Sequence, residues 1–339
     1  MNLDFTDDQE ALRAALREFF QKESPPQTVR AAEPLGFDAV LWHKAVELGL
    51  GSIAIPENRG GGGAGFVELA IAAELLGRSL APVPLIEAAV ANALLAAAAP
   101  EALVAAAVAG ESLATLALHP AAGGVARLVP AGAVADLVLV LRDEELLAVR
   151  LPGRPAVAVP NLGAMPVADC PLDAGETTVL AKGPEAVALH RDAVHQWRSL
   201  TGAALVGIAS RALEIGVDYV KQRRAFDTLI GGFQSVQHRL ADNATALEGA
   251  RLLAYKAAWA HDVDLPAAGT LSTMSLLFAA ETAFTTASDS LHFHGGYGYT
   301  LEYDIQLYFR RAKAWPMVAG DRRAAYAELP HRLSGATEG

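Results

Sequence analysis

Apolar residues recur at helical spacing through the first third of the chain. Residues 6–21 open at Thr6 and place Glu10 among other acids in the first turns. Leu12, Leu16, Phe19 and Phe20 then follow at helical intervals. That pattern predicts an amphipathic helix with a capped, acidic start. Further helices are predicted over about 37–48, ending near Gly49, and over 66–78. Residues 84–109 are alanine-rich and break at Pro100 into two helices, because proline cannot donate into a helical ladder. The first 111 residues read as an all-helical domain.

The pattern then changes. Residues 112–183 are rich in Val, Leu, Pro and Gly, with short runs at 135–141 and 145–151 bounded by turn residues. Those are strand lengths, so this segment reads as a small middle β-domain. Pro184 marks the return to helix. Long helical patterns cover about 185–222, 234–261 and 267–293, the last closed by Gly295-Gly296. A fourth starts near Glu302 and a fifth follows Pro316. Long helices with short connections predict a C-terminal four-helix bundle over 184–332, followed by a tail, 333–339. The fold class is mainly α with a small β-domain.

Composition narrows the functional classes. The apolar set is 52% of 339 residues and the charged set 19%, which excludes a disordered or fibrous chain. The charge balance, 27 − 38 = −11, disfavours nucleic acid or an anionic membrane as partner. The start MNLDFTDDQE has no basic region before an apolar stretch, so no secretory signal is expected. Asn92, Pro100 and Glu101 interrupt the greasy stretch Ala88–Gly110, which argues against a membrane span there. One cysteine, Cys170, leaves no internal disulfide and suits a reducing compartment. These features together predict a soluble, cytoplasmic protein.

The residue chemistry excludes several sites and leaves others open. The run Gly60–Gly65 has no Lys-Ser/Thr after it, so it reads as a flexible connection between helices rather than a phosphate loop. Gly295–Tyr299 follows a helix, which does not suit a dinucleotide fingerprint. It is either a helix stop or a place where backbone approaches a cofactor closely. The pairs His292/His294 and His190/His195 lack metal-ligand spacing, and no metal is expected. Basic residues cluster at Lys221/Arg223/Arg224, at Arg310/Arg311/Lys313 and at Arg322/Arg323. Each cluster either complements a helix end or offers guanidinium forks to a pyrophosphate.

Three segments then match a known pattern. YVKQRRAFDTLIGGFQSVQHRLA (219–241) and HFHGGYGYTLEYDIQLYFRRAKA (292–314) resemble the two signatures of the acyl-CoA dehydrogenase family. IAIPENRGGGGAGFVELAIAAELLGRSLAPVPL (53–85) resembles the family's Pro-Glu-x2-Gly-Gly-x-Gly loop and its Glu-Leu-Gly-Arg motif. The helical–β–helical order agrees. The likeness covers nearly the whole chain and is weakest over about 112–182.

The resemblance implies FAD bound between subunits. Arg223, Phe226 and Gln234 would touch a neighbour's flavin dinucleotide, and His292, Gly295 and Gly296 would line its adenosine and pyrophosphate side. His292 stands where the family usually has glutamine and can still donate one hydrogen bond. Glu302 reads as a helix-start acid. The implied reaction is α,β-dehydrogenation of an acyl-CoA, with a glutamate taking the α-proton and flavin taking the β-hydride. The two usual places for that base are Ala319 and Trp197, and neither is acidic. The middle segment LATLALHPAAGGVARL also lacks the family's Thr-Glu and Gly-Ser pairs.

These departures resemble the short, base-lacking subunit of heteromeric acyl-CoA dehydrogenases from steroid-degrading actinobacteria. The implied partners are an acyl-CoA, a second family subunit (as α2β2) or self, and an electron-transfer acceptor. An alternative is a self-sufficient enzyme with Asp321 as displaced base, although Asp321 also suits a helix cap. A flavin monooxygenase or a pseudoenzyme on the same scaffold is the third reading. Arg198 either pairs with an acid or acts as an electrostatic element near the cleft.

Overall fold

The computed structural model of the chain describes residues 4–153 and 158–333. Residues 334–339 of the expected tail lie outside it. The chain forms two compact units, Met1–Pro26 with Ala70–Ala81 and Ser199–Gly339, and Gln27–Leu69 with Pro82–Arg198. These units cut across the sequential division at 111 and 183.

The second unit holds the larger part of the β structure. Its helices are α2 (Pro26–Ala31), α3 (Ala39–Glu47), α5 (Leu85–Ala98) and α6 (Glu101–Val108), with the start of α4 (Phe66–Ser79) and of α7 (Gly183–Val220). Strands β1 (Ala114–Leu116), β3 (Leu137–Arg142), β4 (Glu145–Arg150) and β6 (Glu176–Lys182) form one sheet in the order β1-β3-β4-β6. The pair β1/β3 is parallel and the others antiparallel. Strands β2 (Val125–Val129) and β5 (Ala168–Pro171) form a separate pair. Asp143 and Glu144 join β3 to β4 with φ of +49° and +60°. Two consecutive left-handed residues make the turn whose twist matches that of paired strands. The runs LVLVL and LLAV are apolar throughout because both faces of these strands are covered.

The glycine loop is a correction to the expectation of a flexible connection. Gly61, Gly62, Gly63 and Ala64 donate backbone N–H groups to Pro56, Ser52, Ile55 and Ile53. A Cβ on Gly61 would fall 2.2 Å from the Ile55 carbonyl oxygen. The glycines are there so that the chain can fold back onto itself.

The first unit is helical apart from one short hairpin over 224–229. It holds α1 (Asp7–Glu23), the rest of α4 and α7, α8 (Gln234–Asp262), α9 (Ala268–Phe293), α10 (Ile305–Ala314) and α11 (Arg322–Leu333). Thr6 and Gln9 cap α1 reciprocally, at 3.2 and 3.0 Å. The segment expected to start a helix at Glu302 begins it at Ile305 instead, and Glu302 lies exposed in the preceding turn.

The Glu-Leu-Leu-Gly-Arg run of α4 is explained by packing. Glu74 accepts a hydrogen bond from the Tyr255 hydroxyl at 2.7 Å. Gly77 and Gly207 let α4 and α7 touch backbone to backbone. Their missing Cβ atoms would each lie 1.9 Å from a carbonyl oxygen, of Ala204 and Glu74 respectively. Arg78 grips Glu214 through both guanidinium nitrogens at 2.7 Å. Burial pushes the Glu214 carboxyl up, but Arg78 and Arg211 outweigh it and hold it below its ordinary pKa.

Helix α7 is long and apolar enough to cross a membrane, but most of its apolar stretch is buried inside the fold, as in a core helix. The expectation had looked instead at Ala88–Gly110, which forms α5 and α6.

Candidate functional site

The first signature builds an exposed hairpin. Helix α7 ends at Val220, and the Arg223 N–H closes onto the Tyr219 carbonyl at 2.9 Å. Strands β7 (Arg224–Ala225) and β8 (Thr228–Leu229) then pair around Phe226 and Asp227. Both turn residues are left-handed, with φ of +52° and +61°. The Arg224 guanidinium donates to the Asp227 carbonyl at 2.6 Å and braces the turn. Phe226 is 94% exposed, so its ring contributes nothing to this chain's own core. The chain runs on to Phe233, which precedes α8, and Gln234 is the first residue of that helix. Arg223 and Gln234 are exposed.

The second signature ends α9. His292 is exposed and His294 is buried. Gly295 is left-handed at φ +59°, which glycine tolerates best. Gly296 has no such backbone requirement, and a Cβ there would meet nothing within 4 Å. Neither packing nor backbone geometry asks for glycine at 296, and the space beside it is open. Tyr219 stacks on His294 with ring centroids 3.9 Å apart, which joins the two segments. All six expected cofactor residues thus lie on this one unit. Sequence reading missed Tyr219 and His294. Tyr219 opened the first signature, but its ring was given no role.

The other basic clusters separate here. Lys221, Arg223 and Arg224 are exposed, whereas Arg311 is buried and points an amine at the Leu307 carbonyl, 3.4 Å away. Lys313 sits over the Phe284 ring at 5.0 Å. Arg311 and Lys313 therefore serve packing, whereas the cluster at 221–224 lies on the candidate site. Arg322 and Arg323 are exposed at the start of α11.

The expected base positions carry no acid. Ala319 closes a short turn over Trp315–Ala319 and is half-buried. Asp321, the displaced candidate, is exposed, and its Oδ1 accepts the Arg323 backbone N–H at 2.9 Å. That bond makes it the cap of α11. Trp197 is only 2% exposed and donates its indole N–H to Glu87 Oε1 at 3.2 Å. Burial raises the Glu87 carboxyl above its ordinary 4.5, and its backbone and Trp197 hydrogen bonds offset this only in part. Arg198 beside Trp197 is half-buried. Among the described residues, no cluster of His, Cys, Asp or Glu could hold a metal ion.

Comparison with known proteins decides the family. Residues 6–107 match the acyl-CoA dehydrogenase N-terminal domain, and residues 187–324 match the acyl-CoA dehydrogenase C-terminal domain. The acyl-CoA dehydrogenase IpdE2 of Mycolicibacterium smegmatis is 30% identical over 96% of this chain and 98% of that protein. The chain belongs to the acyl-CoA dehydrogenase family. Among solved structures, the ChsE4–ChsE5 complex of Mycobacterium tuberculosis matches 100% of both chains at 26% identity and a TM-score of 0.88. A variant of the steroid acyl-CoA dehydrogenase Tcur3481–Tcur3483 matches 97% of this chain and 98% of its own, at 26% identity and a TM-score of 0.85. Acyl-CoA dehydrogenases are FAD-dependent flavoproteins that oxidise a CH–CH bond. The residues present fit that cofactor. An exposed guanidinium, an exposed aromatic face and an open backbone at Gly296 suit a pyrophosphate with a flat ring system.

Proposed function

We propose that the chain is a subunit of an FAD-dependent acyl-CoA dehydrogenase that completes the FAD site of a partner family subunit. The observation that carries this reading is an asymmetry. The residues that would hold FAD are kept and turned outward, while both usual base positions, Ala319 and Trp197, hold no acid. Residues facing out of their own chain can be completed into a site by a second chain.

In this reading Arg223 offers its guanidinium to the pyrophosphate, and Phe226 offers a ring face to the dinucleotide. Gln234 and His292 supply side-chain hydrogen bonds, and the Gly295–Gly296 backbone admits the phosphates at close range. FAD, when bound, accepts the hydride that leaves the acyl β-carbon. The base for the α-proton would come from the partner, and an electron-transfer acceptor would take the two electrons onward. Two matched structures come from named pairs, ChsE4–ChsE5 and Tcur3481–Tcur3483. That supports a hetero-oligomer, which we propose as α2β2, and the steroid label of the second supports a bulky acyl group. The single cysteine, Cys170, is free and buried, which suits a cytoplasmic setting.

The test is co-expression with a family member that carries the missing glutamate. The expected result is a mixed oligomer with a flavin spectrum, in which acyl-CoA bleaches the flavin only when both chains are present. A homo-oligomer of this chain that reduces its own FAD with acyl-CoA would overturn the reading.

A further inference from the structure

The two segments that carry the candidate cofactor residues meet through aromatic rings. Tyr219, in the last turn of α7, lies over His294 with planes 25° apart and centroids 3.9 Å apart. Tyr303, just ahead of α10, turns its edge to both rings, 6.2 Å from Tyr219 and 5.5 Å from His294. Tyr297 leans on Tyr303 at 5.9 Å. The two edge-on contacts of Tyr303 are preferred arrangements for rings with negative faces and positive edges, and they flank the closer Tyr219–His294 stack.

The imidazole is held in one state. His294 Nδ1 is 2.7 Å from the Ser290 carbonyl oxygen, one helical turn back. A carbonyl oxygen can only accept, so Nδ1 carries the proton and donates it. Burial lowers the ring's pKa below its ordinary 6.5, although the Ser290 bond pulls the other way. A ring tethered at Nδ1 presents a fixed face to Tyr219.

The stack is not needed to bring α7 and α9 together. That is done along the helices by small residues. A Cβ on Gly202 would lie 2.5 Å from Ser275 Oγ, and one on Gly216 would lie 2.5 Å from Ser290 Oγ. The aromatic pair sits beyond this seam, where both helices end. Tyr219 is four residues before Arg223, whose N–H it anchors, and His294 directly precedes Gly295.

We propose that Tyr219 and His294 are positioning residues for the cofactor. Their stack sets the separation between the hairpin bearing Arg223 and Phe226 and the backbone at Gly295–Gly296, so that both segments grip one dinucleotide. This rests on the reading that the chain contributes to an FAD site. Each ring acts through the segment it holds.

The test uses the full chain in complex with its partner subunit, with FAD removed and titrated back by flavin fluorescence. Tyr219→Leu and His294→Leu should each weaken FAD binding about tenfold, the scale of one lost aromatic pair. Tyr219→Phe keeps the ring and should bind like wild type, which separates stacking from loss of the hydroxyl. Circular dichroism at the assay temperature should show wild-type helix content in each. If either Leu variant fails to fold, the other carries the comparison. Wild-type affinity in a folded Leu variant, or weak binding in Tyr219→Phe, would overturn the proposal. Absence of FAD from the wild-type complex would overturn the proposed function as well. FAD bound equally by wild type and variants would overturn this inference alone.

Discussion

Trp197 on α7 donates its indole N–H to the carboxyl of Glu87 on α5, across 110 residues of sequence, at 3.2 Å. Glu87 stands on a helix otherwise made of apolar residues and Asn92, and among the described residues no cation pairs with it. Its raised pKa means that the folded chain keeps a proton that the unfolded chain has already lost. Stability therefore falls as pH rises from about the unfolded value of 4.5 through the folded value. Glu87→Gln keeps an acceptor for the indole and removes the ionisable group. The variant should be more stable than wild type at about pH 7.5, by on the order of 1 kcal/mol, with the gap closing below about pH 4. Urea midpoints at the two pH values measure this. Equal stability at the higher pH would contradict it.

Phe226 is an exposed ring on a left-handed residue, a conformation that disfavours side chains by roughly 1–2 kcal/mol. The ring itself, 94% exposed, buries almost no surface in this chain to offset that cost. Phe226→Gly should leave stability unchanged or raise it by up to about 1 kcal/mol, since glycine relaxes the turn but loosens the unfolded chain. The same variant should bind FAD more weakly in the complex. A clear loss of stability would show that the ring supports this chain's fold and not a cofactor.

Gly207 and Gly296 should respond oppositely to alanine. Propensity alone favours alanine within a helix by about 1 kcal/mol. At Gly207 the new Cβ would meet the Glu74 oxygen at 1.9 Å and the Arg78 nitrogen at 2.6 Å. Both atoms are backbone and cannot turn aside, so Gly207→Ala should cost about 3 kcal/mol or more. At Gly296 nothing lies within 4 Å. Gly296→Ala should change stability by less than about 0.5 kcal/mol, while reducing FAD affinity. Thermal melts and flavin titration separate the two effects.

Asp321 caps α11 through the Arg323 N–H. Asp321→Asn retains an acceptor and should leave both stability and flavin reduction by acyl-CoA unchanged. Asp321→Ala should destabilise by about 1 kcal/mol, the usual cost of a lost cap. Loss of flavin reduction in Asp321→Asn, with FAD still bound, would instead identify this residue as the base.

Much of the fold was legible along the chain. Helix α8 was expected over 234–261 and spans Gln234–Asp262, and the break at Pro100 separates α5 from α6. The β3/β4 hairpin lies within two residues of its expected bounds. Helix periodicity, caps and proline breaks act over about four residues, so a local pattern suffices to read them. The six proposed cofactor residues were picked out for a different reason, because they sit in two contiguous motifs.

What the sequence by itself determined was therefore the elements and the motifs they carry. Only the tertiary structure decided which residues those motifs depend on. It buried Arg311, which the sequence offered as a phosphate ligand, and left Arg223 outside. It turned the Gly60–Gly65 run from a loose connection into a turn hydrogen-bonded onto residues 52–56. It set Gly207 against Glu74, Trp197 against Glu87 and Tyr219 against His294. Each of these pairs is 75 or more residues apart in the chain. Such contacts are made by whatever surface the packed elements bring together, and no local period encodes that choice.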